Sequence, residues 1–430
     1  MGKFLKILLC LVVVDFFFFS TRINHVTQGF NTKELMAVVC IFLFGADLYV
    51  KREFAVTRVF IGLLLFSVTI SLLAIFSTVY HNTPERTFTT YFMSMLTWLS
   101  AAFVAVSCIK AVHKKLTIEL LCSYIVAVAV IQGLIAVIAD NFAPLDSFIL
   151  RTIPGSGWSK RVGRLYGFGE TATFDTAGIR FTIASILCSH NIKALAAKQK
   201  TKSVPIFILA FILLTVTGNM VARTTLVGTI IGLIYMILFI SPFKVNVEFS
   251  TLKTWLWLFL EILAIVILMS FLYRVDDNFR FRTRFAFEGF FSLAEKGEWG
   301  TGSNEKLKRM YVFPDNLETW VIGDGYMIGA GRDPNYIGEK SMGFYKDTDV
   351  GYLRLIFFFG LIGLSVYSAF IIYAGIVCIR MHPENWLLFL ALTATHFIVW
   401  LKVSTDCFFI LCLFICLGYL KEGMAPETVS

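Results

Sequence analysis

Twelve runs of apolar residues, each near the ~20 residues that carry a helix across ~30 Å of hydrocarbon, are spread along this 430-residue chain. They fall at about 4–21, 34–50, 58–80, 88–109, 117–139, 173–189, 204–219, 222–241, 252–273, 350–379, 385–401 and 404–420. The pattern predicts an all-α polytopic membrane protein with about twelve transmembrane helices, in a single transmembrane domain over 1–430. Composition agrees. Only 16% of residues are charged and the mean hydropathy is +0.75, whereas a soluble chain carries about 25% charge. The 44 phenylalanines suit lipid-facing and helix-packing surfaces.

The opening "MGKFLKILLCLVVVDFFFFSTR" has the basic start and apolar core of a signal peptide. No small-x-small cleavage site follows, so it is expected to be an uncleaved first span. Lys6 stands where a myristoylation signal needs Ser or Thr. The nine cysteines lie in or beside apolar runs. They have neither metal-ligand nor disulfide-framework spacing and are expected to pack.

Basic residues set the expected orientation. With the N-terminus in the cytoplasm, the inner segments hold sixteen Lys and Arg and the short outer connections hold five. "NIKALAAKQKTK" is the densest inner marker. The positive-inside rule therefore predicts two cytoplasmic termini, and the net charge of +9 needs no nucleic-acid partner to explain it. Two long loops then fall outside, at 140–172 and 274–349, the latter between helices 9 and 10. Loops of that length are usually functional. The second opens "RVDDNFRFRTRF", with Arg274, Arg280, Arg282 and Arg284 close together. Guanidinium groups favour planar, multi-oxygen anions such as phosphates; the alternative is a solvated loop in which Asp276 and Asp277 pair with the arginines.

Ionisable residues inside apolar runs are functional candidates by default. Here they are Asp15, Asp47, Glu119, Asp175, Arg180, Glu261, Arg354 and Asp406. Asp47 and Glu119, near inner ends, read as snorkelling. Asp15, Glu261 and Asp406 have no partner evident in the sequence. The others cluster near the outer surface, together with Arg164, Arg223 and Asp349. If spans 6, 8 and 10 are neighbours, they form an arginine-rich pocket at that depth. A helix continued upstream would set Asp347 on the Arg354 face, as an ion pair, with Asp349 turned away beside Tyr352. "VIGDGYMIGAG" lacks the context and ending of a phosphate loop and reads as turns. The six histidines are scattered, so no metal site is expected.

Four stretches carry a resemblance: "GRLYGFGETATFDTAG" (163–178), "VTGNMVARTTLVGTIIGL" (216–233), "WVIGDGYMIGAG" (320–331) and "DTDVGYLRLIFFFGLIGL" (347–364). In order and spacing they resemble the O-antigen polymerase and O-antigen ligase superfamily. The resemblance implies a GT-C-like membrane glycosyltransferase of the bacterial inner (cytoplasmic) membrane. Such an enzyme acts on oligosaccharide linked to undecaprenyl diphosphate at the periplasmic face, with no cofactor or metal, alongside a flippase and a chain-length regulator. Arg164 and Arg223 match the family's arginine blocks. Counting back from Gly360 and Gly363 puts Asp349 where ligases carry a histidine, and Ala222 precedes Arg223 where the block has Ser. The first departure favours a polymerase over a ligase. By this resemblance Asp349, Arg223 and Arg164 would be catalytic, with Glu170 and Asp175 as alternative bases. Arg180, Arg282, Arg284, Tyr352 and Arg354 would hold diphosphate and glycan. Trp299, Trp320, Tyr326, Tyr336 and Tyr345 could stack on sugars or simply pack the loop. A lipid-linked oligosaccharide flippase is the competing reading. It would show repeated halves and charges along a central path, whereas these charges sit at one face.

Overall fold

A computed structural model describes residues 2–24, 29–51, 56–113, 115–198, 203–239, 249–328, 331, 333–338 and 343–422. The chain is 77% helix and has no strand among the described residues. A helix occupies each apolar run: α1 (Lys3–Phe18), α2 (Thr32–Lys51), α3 (Arg58–Tyr80), α4 (Tyr91–Val112), α5 (Ile118–Asn141), α8 (Phe174–Ala197), α9 (Val204–Val221), α10 (Thr225–Phe239), α11 (Phe249–Val275), α16 (Gly351–Met381), α17 (Trp386–Trp400) and α18 (Phe408–Glu422). Among the described residues, α3, α4, α5, α9 and α16 are long and apolar enough to cross a membrane. These are helices of a membrane-embedded protein.

The two long loops are themselves partly helical. The first contains α6 (Ala143–Thr152) and α7 (Ser156–Arg161). The second contains α12 (Asp277–Ala286), α13 (Glu288–Lys296), α14 (Gly302–Arg309) and α15 (Leu317–Ile322). Their starts follow local capping chemistry. Asp276 accepts from the Asn278 and Phe279 amides, Thr301 from Asn304 and Asn316 from Thr319, satisfying donors that a helix start leaves open.

The chain divides into two compact units, residues 1–36 with 105–299, and 37–104 with 300–430. In the first, α8 is the centre, and every residue from 177 to 192 is buried. Because protein rather than lipid surrounds it, α8 tolerates Arg180, Ser185, Ser189, His190 and Asn191 within that stretch. Its partner α10 comes so close that a Cβ on Gly228 would strike the Thr182 backbone.

In the second unit α16 is central, and it is not continuous. Phe359 (φ −140°) and Gly360 (φ 68°) break it into two half-helices. An interrupted helix at membrane depth must have its freed backbone groups bonded elsewhere. Here the turn after α15 supplies them: the Asp324 amide donates to the Phe357 carbonyl at 2.6 Å and the Gly325 amide to Phe358 at 3.1 Å. The Ser77 hydroxyl of α3 also donates to Phe358, at 2.6 Å. The stretch read as turns, "VIGDGY", is thus the plug of the break.

Candidate functional site

In the first unit, two segments rich in small and polar residues carry the arginines of interest. Arg164 follows α7 in the first long loop. Arg223 occupies the turn between α9 and α10. The fold brings both to one phenylalanine of the second loop: the Phe285 ring lies 4.4 Å from the Arg223 guanidinium and 5.7 Å from that of Arg164. The Phe174 ring also meets the Arg164 guanidinium, at 5.0 Å. Phe174 adopts φ 49°, a left-handed conformation that costs a bulky residue roughly 1–3 kcal/mol. The strain sits where its ring meets the guanidinium. Each cation–ring contact contributes about 0.5–2 kcal/mol, more when dry.

The charges here are unevenly matched. Arg223 forms an ion pair with Glu288, the first residue of α13. Arg164 makes no ion pair and no side-chain hydrogen bond among the described residues; its contacts are the two rings. Thr224 donates to Asp175 at 2.7 Å and accepts from Thr182 at 3.0 Å through its carbonyl. These bonds tie the Arg223 turn to the start of α8, so the expected neighbourhood of spans 6 and 8 is present. Span 10 belongs to the second unit.

Arg282 joins this group by a different route. It grips Asp140 with two bonds, at 2.6 and 3.1 Å, and donates to the Gly163 carbonyl beside Arg164. Arg164 and Arg282 line a cavity of about 60 Å³ with Lys160, Asp140, Asp146 and Tyr166. Asp146 is bonded by Lys160 and Tyr166. Burial alone would raise its pKa, but those two partners outweigh it and hold the carboxyl below its ordinary value. The Tyr166 phenol is pushed up, first by burial and then by Asp146.

The remaining arginines point elsewhere. Helical phase divides the dense cluster on α12, because residues two apart face nearly opposite ways. Arg284 turns outward to Glu295 at 2.8 Å and Tyr273 at 3.3 Å. Arg280 pairs with Asp277, as the solvated-loop alternative expects. Arg180 is buried, and its guanidinium donates to the carbonyls of Phe18 and Thr176. There it satisfies the end of α1.

In the second unit helical phase does not set the direction of the acids ahead of α16. Lys346 and Asp347 have φ 55° and 52° and α16 starts only at Gly351, so the helix does not extend back to residue 347. The pair that forms is Asp349 with Arg354, at 3.1 Å. Both side chains are mostly buried, 21% and 11% exposed. The Phe344 ring lies 4.1 Å from the Arg354 guanidinium. Asp349 is therefore not turned away from Arg354. Tyr352 donates to the Phe397 carbonyl at 3.0 Å and meets Trp400 edge-on.

Two acids without evident partners in the sequence have them in the fold. Gln132 donates to Asp15 at 2.8 Å, and Tyr91 donates to Asp406 at 2.8 Å. The side chains of Asp47 and Glu261 lie outside the described residues. Tyr326 stacks on Tyr345, Tyr336 meets both edge-on, Tyr345 meets Phe357 edge-on, and the Trp320 ring runs parallel to Phe313 with centroids 6.4 Å apart. Those aromatics pack the loop. Glu288 and Phe285 were not singled out by sequence reasoning. Nothing in a short amphipathic stretch distinguishes a carboxylate that meets a distant arginine from one that meets water.

Compared with protein-family models, curated proteins and solved structures, the chain matches none.

Proposed function

We propose that this protein is a metal-independent membrane glycosyltransferase. In this reading it polymerises undecaprenyl-diphosphate-linked oligosaccharide repeat units on the periplasmic face of the bacterial inner membrane, as O-antigen polymerases do. One observation carries the reading: Arg164 and Arg223, distant in sequence and both matching the family's arginine blocks, meet on Phe285. Breaking a glycosyl–diphosphate bond leaves an anionic diphosphate. Two guanidinium groups walled by rings stabilise that charge far better than water does. The acceptor hydroxyl forms the new bond to the anomeric carbon, and its proton passes to a carboxylate. Asp349 takes the base role by resemblance. Asp175, hydrogen-bonded to Thr224 beside Arg223, is the alternative base within the first unit. The lipid tail enters between helices, and the glycan lies under the long outer loop.

Arg164→Ala and Arg223→Ala are expected to lower chain extension by about 10²-fold or more each, the usual effect of removing one transition-state donor, with membrane expression retained. A full long-chain glycan ladder on a gel from either variant refutes the reading. Deleting the gene separates polymerase from ligase: long chains vanish with a single repeat unit retained for the former, and every repeat leaves lipid A-core for the latter.

A further inference from the structure

We propose that Glu288 is the resident counter-ion of the arginine pair, and that a polyvalent phosphate displaces it, releasing α13. This rests on the reading of Arg164 and Arg223 as diphosphate ligands. It adds an internal occupant and a moving element that the reading does not require.

The ion pair is lopsided. The Arg223 side chain is 17% exposed and that of Glu288 38%. A guanidinium held that deep does not shed its partner for water without large cost, so what replaces Glu288 must be another anion. Glu288 is also the end that can leave. It opens a nine-residue helix whose one buried residue is Gly289. Phe290 and Leu293 on the same helix are half-exposed, at 50% and 49%. Its ties to α12 and α11, the Arg284–Glu295 ion pair and the Tyr273–Phe291 ring contact, are solvent-accessible, and such exposed contacts with few buried apolar groups mean a low cost of local opening. By contrast α12, just upstream, is anchored by Arg282 to Asp140 and Gly163. The junction at Phe287 (φ −114°, ψ 26°) is where the held helix meets the loose one.

Charge count then sets the selectivity. Among the described residues Arg223 pairs with Glu288 and Arg164 forms no ion pair, while Asp140 and Asp146, which line the cavity beside Arg164, are already held by Arg282, Lys160 and Tyr166. A monovalent anion offers no more than Glu288 already does. A diphosphate offers at least two charges and several acceptor oxygens, enough for both arginines. Phe285, three residues before Glu288, touches both cations and stays with the anchored helix as a wall of the seat.

The test uses the full chain in nanodiscs of zwitterionic lipid, with inorganic pyrophosphate as probe and calorimetry as readout. Glu288→Gln removes the competing charge in an equal volume. It is expected to tighten pyrophosphate roughly ten-fold, a coupling of ordinary size, while acetate binds neither protein. A spin label at Leu293→Cys should gain mobility when pyrophosphate is added to the otherwise native chain, and should already be mobile in the Glu288→Gln background. Unchanged or weaker pyrophosphate binding by Glu288→Gln overturns the proposal, because a carboxylate that merely orients Arg223 predicts that sign. A label that stays immobile with pyrophosphate bound overturns the release of α13. If neither protein binds pyrophosphate above the level of Arg164→Ala, the arginine pair is no anion seat, and the functional reading fails with the proposal.

Discussion

At the residue scale, what distinguishes Arg164 from the other candidate arginines is its surroundings. Arg282, Arg284 and Arg223 each meet a carboxylate, whereas Arg164 meets two rings. Arg164→Lys is therefore expected to fail nearly as badly as Arg164→Ala, because an ammonium neither stacks nor forks like a guanidinium; a chain-extension assay on both variants checks this. Asp349 needs a different experiment, since its pair with Arg354 makes Asp349→Asn destabilising by about 3 kcal/mol through an uncompensated buried cation. The double variant Asp349→Asn with Arg354→Met should recover yield on detergent thermal melts. Activity that returns with the yield would exclude Asp349 as the base. Asp146 gives a pH signature. Its carboxyl is held below the ordinary ~3.9, so its bonds to Lys160 and Tyr166 stabilise the fold above about pH 4 and are lost as pH falls further. Asp146→Asn should flatten the melting temperature below pH 4 and lower it at pH 7. Arg164, Arg223 and Arg354 were legible as candidates because charge beside lipid is conspicuous. Glu288 and Phe285 were not, since their importance lies in which distant residue they meet.

At the scale of elements, the sequence foretold where helices lie far better than what they do. Apolar run length is a one-dimensional signal, and every such run holds a helix. The break in α16 was not foreseen, although Gly360 and Gly363 were in view, because the sign of φ is invisible in the letters. The physical reason is close packing. A Cβ at Gly360 would strike the Val321 carbonyl, and one at Gly323 the Phe358 carbonyl, from the opposite side of the same contact. Gly360→Ala is expected to cost several kcal/mol, roughly 3, through clash and a left-handed φ together, and to abolish yield in the membrane fraction. Ser77→Ala removes one hydroxyl donor from the Phe358 carbonyl and should cost about 1–2 kcal/mol. Thermal melts that leave both variants at the wild-type value would contradict the plug. The arginine cluster of α12 shows the converse error. It is dense in sequence, but helical phase separates Arg282 from Arg284, so one lines the cavity and the other meets Glu295.

At the scale of the whole molecule, the orientation expected from the basic-residue asymmetry would put residues 300–310 outside. Lys308 on α14 is well exposed, at 75%, and every native cysteine is buried or half-buried. Lys308→Cys should therefore label strongly with an impermeant maleimide in intact spheroplasts, over a low native background. Protection there, with labelling only after lysis, would reverse the expected orientation. The plugged break in α16 also bears on how the chain is made. Its first half-helix depends on Ser77, 281 positions upstream of Phe358, and on the turn at 323–325. Both partners leave the ribosome before α16 does. Order of synthesis thus delivers the receptor before the segment it must receive, so this span never has to wait in the bilayer with its carbonyls bare. A circularly permuted chain that began at residue 343 would reverse that order, and should insert poorly even though its finished fold is the same.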